Sequence, residues 1–301
     1  RTNCSDIGRA IDALNTTAAA VAKIHRTVRQ RQPLHLQRAR QAIDGLIENF
    51  ADDPNTLIWA LAANRRMYLL SRRAVGWVVW AMALGSSLNF DRPTLQELML
   101  GALLLDIGKI NVPVVILAKT GKLNEAEQKF VRRHVIESLR ILESVDGLSA
   151  DIIEMVRSHH ERIDGSGYPY GLKNNEISLF AQIAGIVDSF DALSLSRYYA
   201  EGLSGHAAIS TLKKQRGKQF AATLLDDFVS AIGEFPTGTW VEFPDGRTGV
   251  VCSQDPEDHR APKVVLIADE QQQPILAVHW LHLHEHGEAR VLPPAERPNH
   301  A

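Results

Sequence analysis

His159-His160-Glu161-Arg162-Ile163-Asp164-Gly165-Ser166-Gly167-Tyr168-Pro169 is the stretch on which the reading of this chain turns. Two adjacent imidazoles end an apolar-periodic segment, Ala150–His160, that reads as a helix, and a glycine-flanked turn follows them. Gly165 and Gly167 permit positive φ and close backbone approach. Upstream lies Leu105-Asp106-Ile107-Gly108-Lys109, preceded by Leu98, Leu100, Ala102, Leu103 and Leu104, so the Asp106 carboxylate is expected at the edge of a core. His134 sits between them in Arg132-Arg133-His134-Val135-Ile136. Downstream, Val187-Asp188-Ser189-Phe190-Asp191-Ala192-Leu193 puts Asp188 after the apolar run Ile183–Val187, where a buried carboxylate needs a cation or hydrogen-bond donors. A lone helical histidine is usually a surface or hydrogen-bonded residue, and a lone aspartate can simply cap a helix. Asp106, His134, His159, His160 and Asp188 together offer the nitrogen and oxygen donors that a hydrolytic divalent metal needs, on elements able to converge.

These segments together resemble the HD-GYP family, metal-dependent phosphodiesterases that hydrolyse the bacterial second messenger cyclic di-GMP. The resemblance covers about residues 57–232. It implies that Asp106 bridges the metals, that His134, His159 and His160 hold the second metal, and that Asp188 holds the first. Asp106 and Lys109 would be the catalytic pair, with Lys109 and Arg197 contacting substrate phosphates. Gly165, Ser166, Gly167, Tyr168 and Pro169 would form the loop associated with partner docking. The resemblance is incomplete near Arg197, where Tyr198 replaces a usual proline and Ala200 a usual basic residue.

Two further departures bear on the metals. The family writes its first segment His-Asp-x-Gly-Lys, and here Leu105 stands in place of the histidine, with no lone pair to give. The family also supplies a histidine from the preceding helix, around Tyr68–Arg73 here, yet residues 54–90 contain no His, Asp, Glu or Cys. Arg72 or Arg73 is expected in the vacated place, where its charge would preserve anion binding without supplying a nucleophile. The centre is therefore expected to hold at most one divalent ion (Fe, Mn, Zn or Ni) or none.

Composition bounds the rest. The chain has 301 residues, 45% apolar and 23% charged, with a formal net charge of -2, which gives no electrostatic case for nucleic acid or an anionic membrane. Its longest apolar run, Ala74–Leu84, is far short of the roughly 20 residues that span a bilayer, so no membrane segment is expected. Cys4 and Cys252 suggest no disulfide framework and fit a reducing cytoplasm.

The expected fold is mostly α: an HD-type helical bundle core with an N-terminal helical extension and a small C-terminal β subdomain. The boundaries read as 1–55 for the extension, 56–234 for the HD-GYP-like domain, 235–290 for the β subdomain and 291–301 for a disordered tail. Helices are expected at 11–29, 36–50, over the long apolar segment 57–88 as one or two, from Pro93 into the Asp106 motif, and at 125–142, 150–160, 179–193, 206–214 and 221–232. Strands are expected at 240–243, 249–252, 263–268 and 274–278, the first two joined by the turn Pro244-Asp245-Gly246-Arg247. His279, His282, His284 and His286 read as a polar edge strand in preference to a chelating face. The basic cluster 213–218 reads as a solvated helix end.

Three functions remain open. One is a catalytically silent or strongly weakened member acting by binding cyclic di-GMP or a partner such as a diguanylate cyclase (GGDEF-type) domain, with a homodimer allowed. Another is a working cyclic di-GMP phosphodiesterase with a reduced metal centre, and the third a hydrolase of another phosphoester or nucleotide.

Overall fold

The computed structural model describes residues 4–64, 69–194, 202–255, 258, 261–275, 277, 279–283, 289–293, 296 and 297. Helices come first: α1 Cys4–Arg29, α2 Gln37–Asp52, α3 Pro54–Ala63, α4 Leu69–Ser87, α5 Arg92–Leu104, a 3-10 turn at Ile107–Asn111, α6 Val114–Leu117, α7 Glu125–Arg132, α8 His134–Leu142, α9 Ala150–Ser158, α10 Leu179–Ser194, α11 Gly205–Lys213 and α12 Ala222–Ile232. Local chemistry explains their starts. Asp53 caps α3 through Asn55 N (3.0 Å) with Pro54 in the first turn, and Asp91 caps α5 through Thr94 N (3.0 Å) ahead of Pro93. Asn124 and Glu127 form a reciprocal capping box on α7.

Helix α4 is the axis of the core. From Ala74 to Leu84 it is buried on every side, which accounts for an apolar run with no polar face, and it packs against α1, α5, α10 and α12. One hydrophobic cluster runs from Ala10 on α1 to Ile232 on α12. A second, smaller one lies inside the sheet: Val241, Phe243, Val251, Val264, Leu266 and Leu283. That sheet is antiparallel with order β4-β3-β2-β1-β5, made of β1 Trp240–Glu242, β2 Thr248–Ser253, β3 Lys263–Ala268, β4 Trp280–His282 and β5 Arg290–Val291. Trp240 faces Val250 across the predicted hairpin, whose tip uses Gly246 at φ 92°.

The mostly α architecture with a small β unit is as the sequence implies. Three local expectations need correction. The single helix over 125–142 is two, because the chain breaks at Arg133: α7 has no buried residue, whereas α8 buries His134, Val135, Ser138 and Leu142. The fourth strand among the described residues lies at Trp280–His282; of the expected 274–278, residues 276 and 278 lie outside the described residues and Pro274 makes an isolated bridge to Ala268, as befits a residue with no N–H to give a ladder. Of the tail expected from residue 291, Val291 pairs with Val241 and Leu292 is buried. His284 and His286 lie outside the described residues.

Candidate metal centre

Asp106 sits between α5 and the 3-10 turn, and the turn is clasped by α8. Ser138 Oγ accepts from Gly108 N (2.9 Å) and donates to the Leu105 carbonyl (3.3 Å). A side chain at residue 108 is excluded, because a Cβ there would lie 2.2 Å from the His134 carbonyl oxygen. The clasp brings Asp106 Oδ1 to 3.0 Å from His134 Nε2 and 3.8 Å from His159 Nε2, and His160 Nε2 to 3.2 Å from His134 Nε2. Lys109 Nζ pairs with the other Asp106 oxygen. One donor atom from each of Asp106, His134, His159 and His160 lies within 4.8 Å of the others.

Protonation shows what this cluster lacks. His134 Nδ1 donates to the Val131 carbonyl (2.7 Å) and His159 Nδ1 to the Val156 carbonyl (2.9 Å), so in the neutral rings both Nε2 atoms present lone pairs inward. Burial lowers the pKa of His134 and takes that of His160 well below the ordinary range, so both are neutral near pH 7. Burial opposes ionisation of Asp106, but the charges around it, the Lys109 ammonium first, outweigh it and hold the carboxyl well below the usual range. Among the described residues, Asp106 Oδ1 and His159 Nε2 are accordingly buried without a hydrogen-bond partner. An anionic oxygen facing lone pairs at this spacing calls for a cation, and three imidazoles with one carboxylate suit a first-row divalent ion.

Asp188 stands apart from that set. Its Oδ1 is 3.0 Å from Arg73 Nη2, and its Oδ2 is 3.6 Å from His160 Nδ1. Arg73 Nε also lies 3.3 Å from Asp191 Oδ2, and its guanidinium covers the Trp77 ring at 5.1 Å. Of the two candidate arginines it is therefore Arg73 that reaches the carboxylates; Arg72 donates to the Leu61 carbonyl. Leu105 is wholly buried in the core.

The Gly165–Pro169 loop is tied to the centre by residues to which sequence reasoning gave no role. Glu161 is buried and accepts from the backbone N–H of Tyr170 (2.7 Å), Gly171 (3.2 Å) and Leu172 (3.1 Å). Arg162 donates to the His159 and Glu161 carbonyls (3.1 and 2.7 Å) and to Ser189 Oγ (3.2 Å). Ser166 N donates to Asp164 Oδ1 (2.9 Å), and Gly167 lies against the Glu161 backbone, where a Cβ would come within 2.4 Å. Both charged residues stood in the quoted string, and their direct succession to the histidine pair was the available signal. His25, on the last turns of α1, also feels Asp106: burial and Arg29 lower its pKa while Asp106 raises it. Arg197 lies outside the described residues.

Comparison with known proteins gives the lineage. The HD domain family matches residues 24–224. A cyclic di-GMP phosphodiesterase of Pseudomonas aeruginosa is 33% identical over 246 residues, 82% of this chain and 59% of the relative. A 3'3'-cGAMP-specific phosphodiesterase of Vibrio cholerae is 38% identical over 132 residues, 44% of this chain and 30% of the relative. The chain thus spans less than two thirds of the length of either curated relative. An HDG"Y"P protein of Bdellovibrio bacteriovorus shares the fold, with a TM-score of 0.63 at 18% identity over 75% of this chain and 72% of that one. Among the described residues no helix is long and apolar enough to cross a membrane. The chain belongs to the HD domain family, and Leu105 stands where the signature it resembles has a histidine.

Proposed function

We propose that this chain is a degenerate HD-GYP protein of cyclic di-GMP signalling, silent or strongly weakened in hydrolysis, that acts by binding the dinucleotide or a partner. The observation that carries the reading is the pairing of Arg73 with Asp188 and Asp191 beside a leucine at residue 105. Asp106, His134, His159 and His160 would hold at most one divalent ion, which when bound supplies Lewis acidity toward a phosphoryl oxygen. A two-metal HD-GYP hydrolase would want a second ion on Asp188, where Arg73 now supplies fixed positive charge and no nucleophile. Losing that ion removes transition-state stabilisation on the order of 10³-fold in rate. Lys109 and Arg197 would meet the ligand phosphates, the Gly165–Pro169 loop would meet a GGDEF-type domain, and the setting would be cytoplasmic.

A second reading, a working phosphodiesterase with a reduced centre, is favoured by the intact four-donor cluster and by the activities in the names of the relatives. One experiment separates them. Purified protein with excess Mn(II) is incubated with cyclic di-GMP and followed for pGpG and GMP, with metal content measured on the same sample. The proposal expects no product, at most one equivalent of metal, and micromolar binding that Arg197→Ala removes. Turnover that Asp106→Ala abolishes would overturn it.

A further inference from the structure

His160 differs from its two neighbours in what orients it. The Nδ1–H groups of His134 and His159 are fixed by the Val131 and Val156 carbonyls. Among the described residues His160 has no such acceptor: its Nδ1 is 3.6 Å from Asp188 Oδ2, beyond a normal hydrogen bond, and Asp188 is itself held by Arg73. A metal-binding imidazole is ordinarily oriented by a hydrogen bond from its second nitrogen. Here ring stacking occupies that role. Tyr168 stacks on His160 with centroids 4.6 Å apart and planes 27° from parallel, and the His159 ring, tilted by 42°, has its centroid 4.0 Å from that of His160. Arg132, at the end of α7, lies over the Tyr168 ring with its guanidinium 4.7 Å from the ring centroid. The Tyr168 N–H donates to the His160 carbonyl (3.2 Å), which ties the loop to the residue it covers.

We propose that Tyr168, clamped by Arg132, is the positioning residue for His160, doing with its ring what backbone carbonyls do for His134 and His159. A flat ring stacked on Tyr168 and crowded by the His159 ring has little room to tilt, so its nitrogens stay aimed at the cluster. The guanidinium adds a cation–π attraction and limits outward motion of the tyrosine. The consequence is that the Gly-Tyr-Pro loop and the cation site share one moving part. This inference rests on reading Asp106, His134, His159 and His160 as a cation site.

The test uses the full chain with Mn(II) as probe, measured by calorimetry, and the ring NMR signals of His160 in cation-free protein. Tyr168→Phe keeps the stack and is expected to bind within about threefold of wild type, whereas Tyr168→Leu is expected to weaken binding about 10- to 100-fold, the range seen for orienting partners of metal ligands. In Tyr168→Leu the His160 signals should broaden as the ring samples several orientations, while those of His134 and His159 stay sharp. Tyr168→Leu matching wild type in either readout would overturn the proposal, and so would Tyr168→Phe failing as badly as leucine, since the hydroxyl would then be the active part. Should Tyr168→Leu not fold, Arg132→Gln decides, because that side chain is exposed: sharp His160 signals with unchanged Mn(II) affinity sink the clamp, and broadening supports it. If wild type takes up no Mn(II), the cation-site reading fails and the His160 signals alone judge the stack.

Discussion

Asp191 lies in the interior beside a guanidinium that already serves Asp188, and burial pushes its carboxyl up to about 6 despite the pull of Arg73. Two carboxylates share one cation, so ionising the second gains less than ionising the first. The unfolded chain would ionise this group near 3.8, so between that pH and about 6 the native protein holds a proton the unfolded chain has lost. Stability from neutral Asp191 is therefore full below about 4 and lost as pH rises through about 6, on the order of 3 kcal/mol in all. His134 and His160 act in the opposite sense: their lowered pKa values make the unfolded chain the better proton acceptor below about 6.5. Comparison with Asp191→Asn isolates the carboxylate from them. In urea unfolding, wild type should lose about 1 kcal/mol relative to the variant between pH 5 and pH 7.5. Parallel stability curves would mean that Asp191 ionises as it does in water. The sequence placed an arginine in this neighbourhood but left Arg72 and Arg73 undecided. Adjacent helix positions point about 100° apart, so the choice depended on how α4 is rotated against α10.

At the scale of elements, the site depends on one close approach, the 3-10 turn Ile107–Asn111 lying on α8. Gly108 allows it: a methyl group there would meet the His134 carbonyl oxygen at 2.2 Å and Ser138 N at 2.5 Å, both backbone atoms that cannot swing aside. Gly108→Ala is expected to destabilise by at least about 3 kcal/mol and to abolish Mn(II) binding, because Asp106 leads into the turn and His134 begins α8. Thermal unfolding with and without Mn(II) checks both parts, and a stable variant with wild-type Mn(II) affinity would refute them. Most elements were legible beforehand from apolar periodicity and, at Pro93, from a helix-start signal, while α3 begins at Pro54, ahead of the expected 57. The break at Arg133 was not, for the sequence there carries neither glycine nor proline, and the interruption reflects the inward turn of His134. The convergence of Asp106, His134, His159 and His160 was legible as a motif, whereas Asp188, expected with them, pairs with Arg73. The stack of Tyr168 on His160 was not, because it depends on how a loop returns over the helix end that precedes it.

On the scale of the whole molecule, two hydrophobic clusters imply two levels of stability. The helical cluster reaches from Ala10 to Ile232, while the sheet has its own small core around Val241, Val251 and Val264. The two meet at α3: Asn55 Oδ1 accepts from Gln254 N (3.0 Å) and from Thr237 Oγ1 (3.5 Å), and Gly238 lies against Ala62, where a Cβ would come within 2.7 Å. Further links come from Lys213 with Glu234 (2.6 Å) and from His206 stacked on Phe235 at 4.4 Å. A core this small should open without the helices, as sub-global unfolding units do. Asn55→Ala removes the acceptor for Gln254 N and should cost the joint about 1 kcal/mol. Amides of β2 and β3, such as Val251 and Val265, should then exchange about fivefold faster, while Val78 and Val79 in α4 keep wild-type rates. Native-state hydrogen exchange reads both sets at once. Equal acceleration in the sheet and in α4 would show a single cooperative unit, and the sheet would then be a structural part of the helical core.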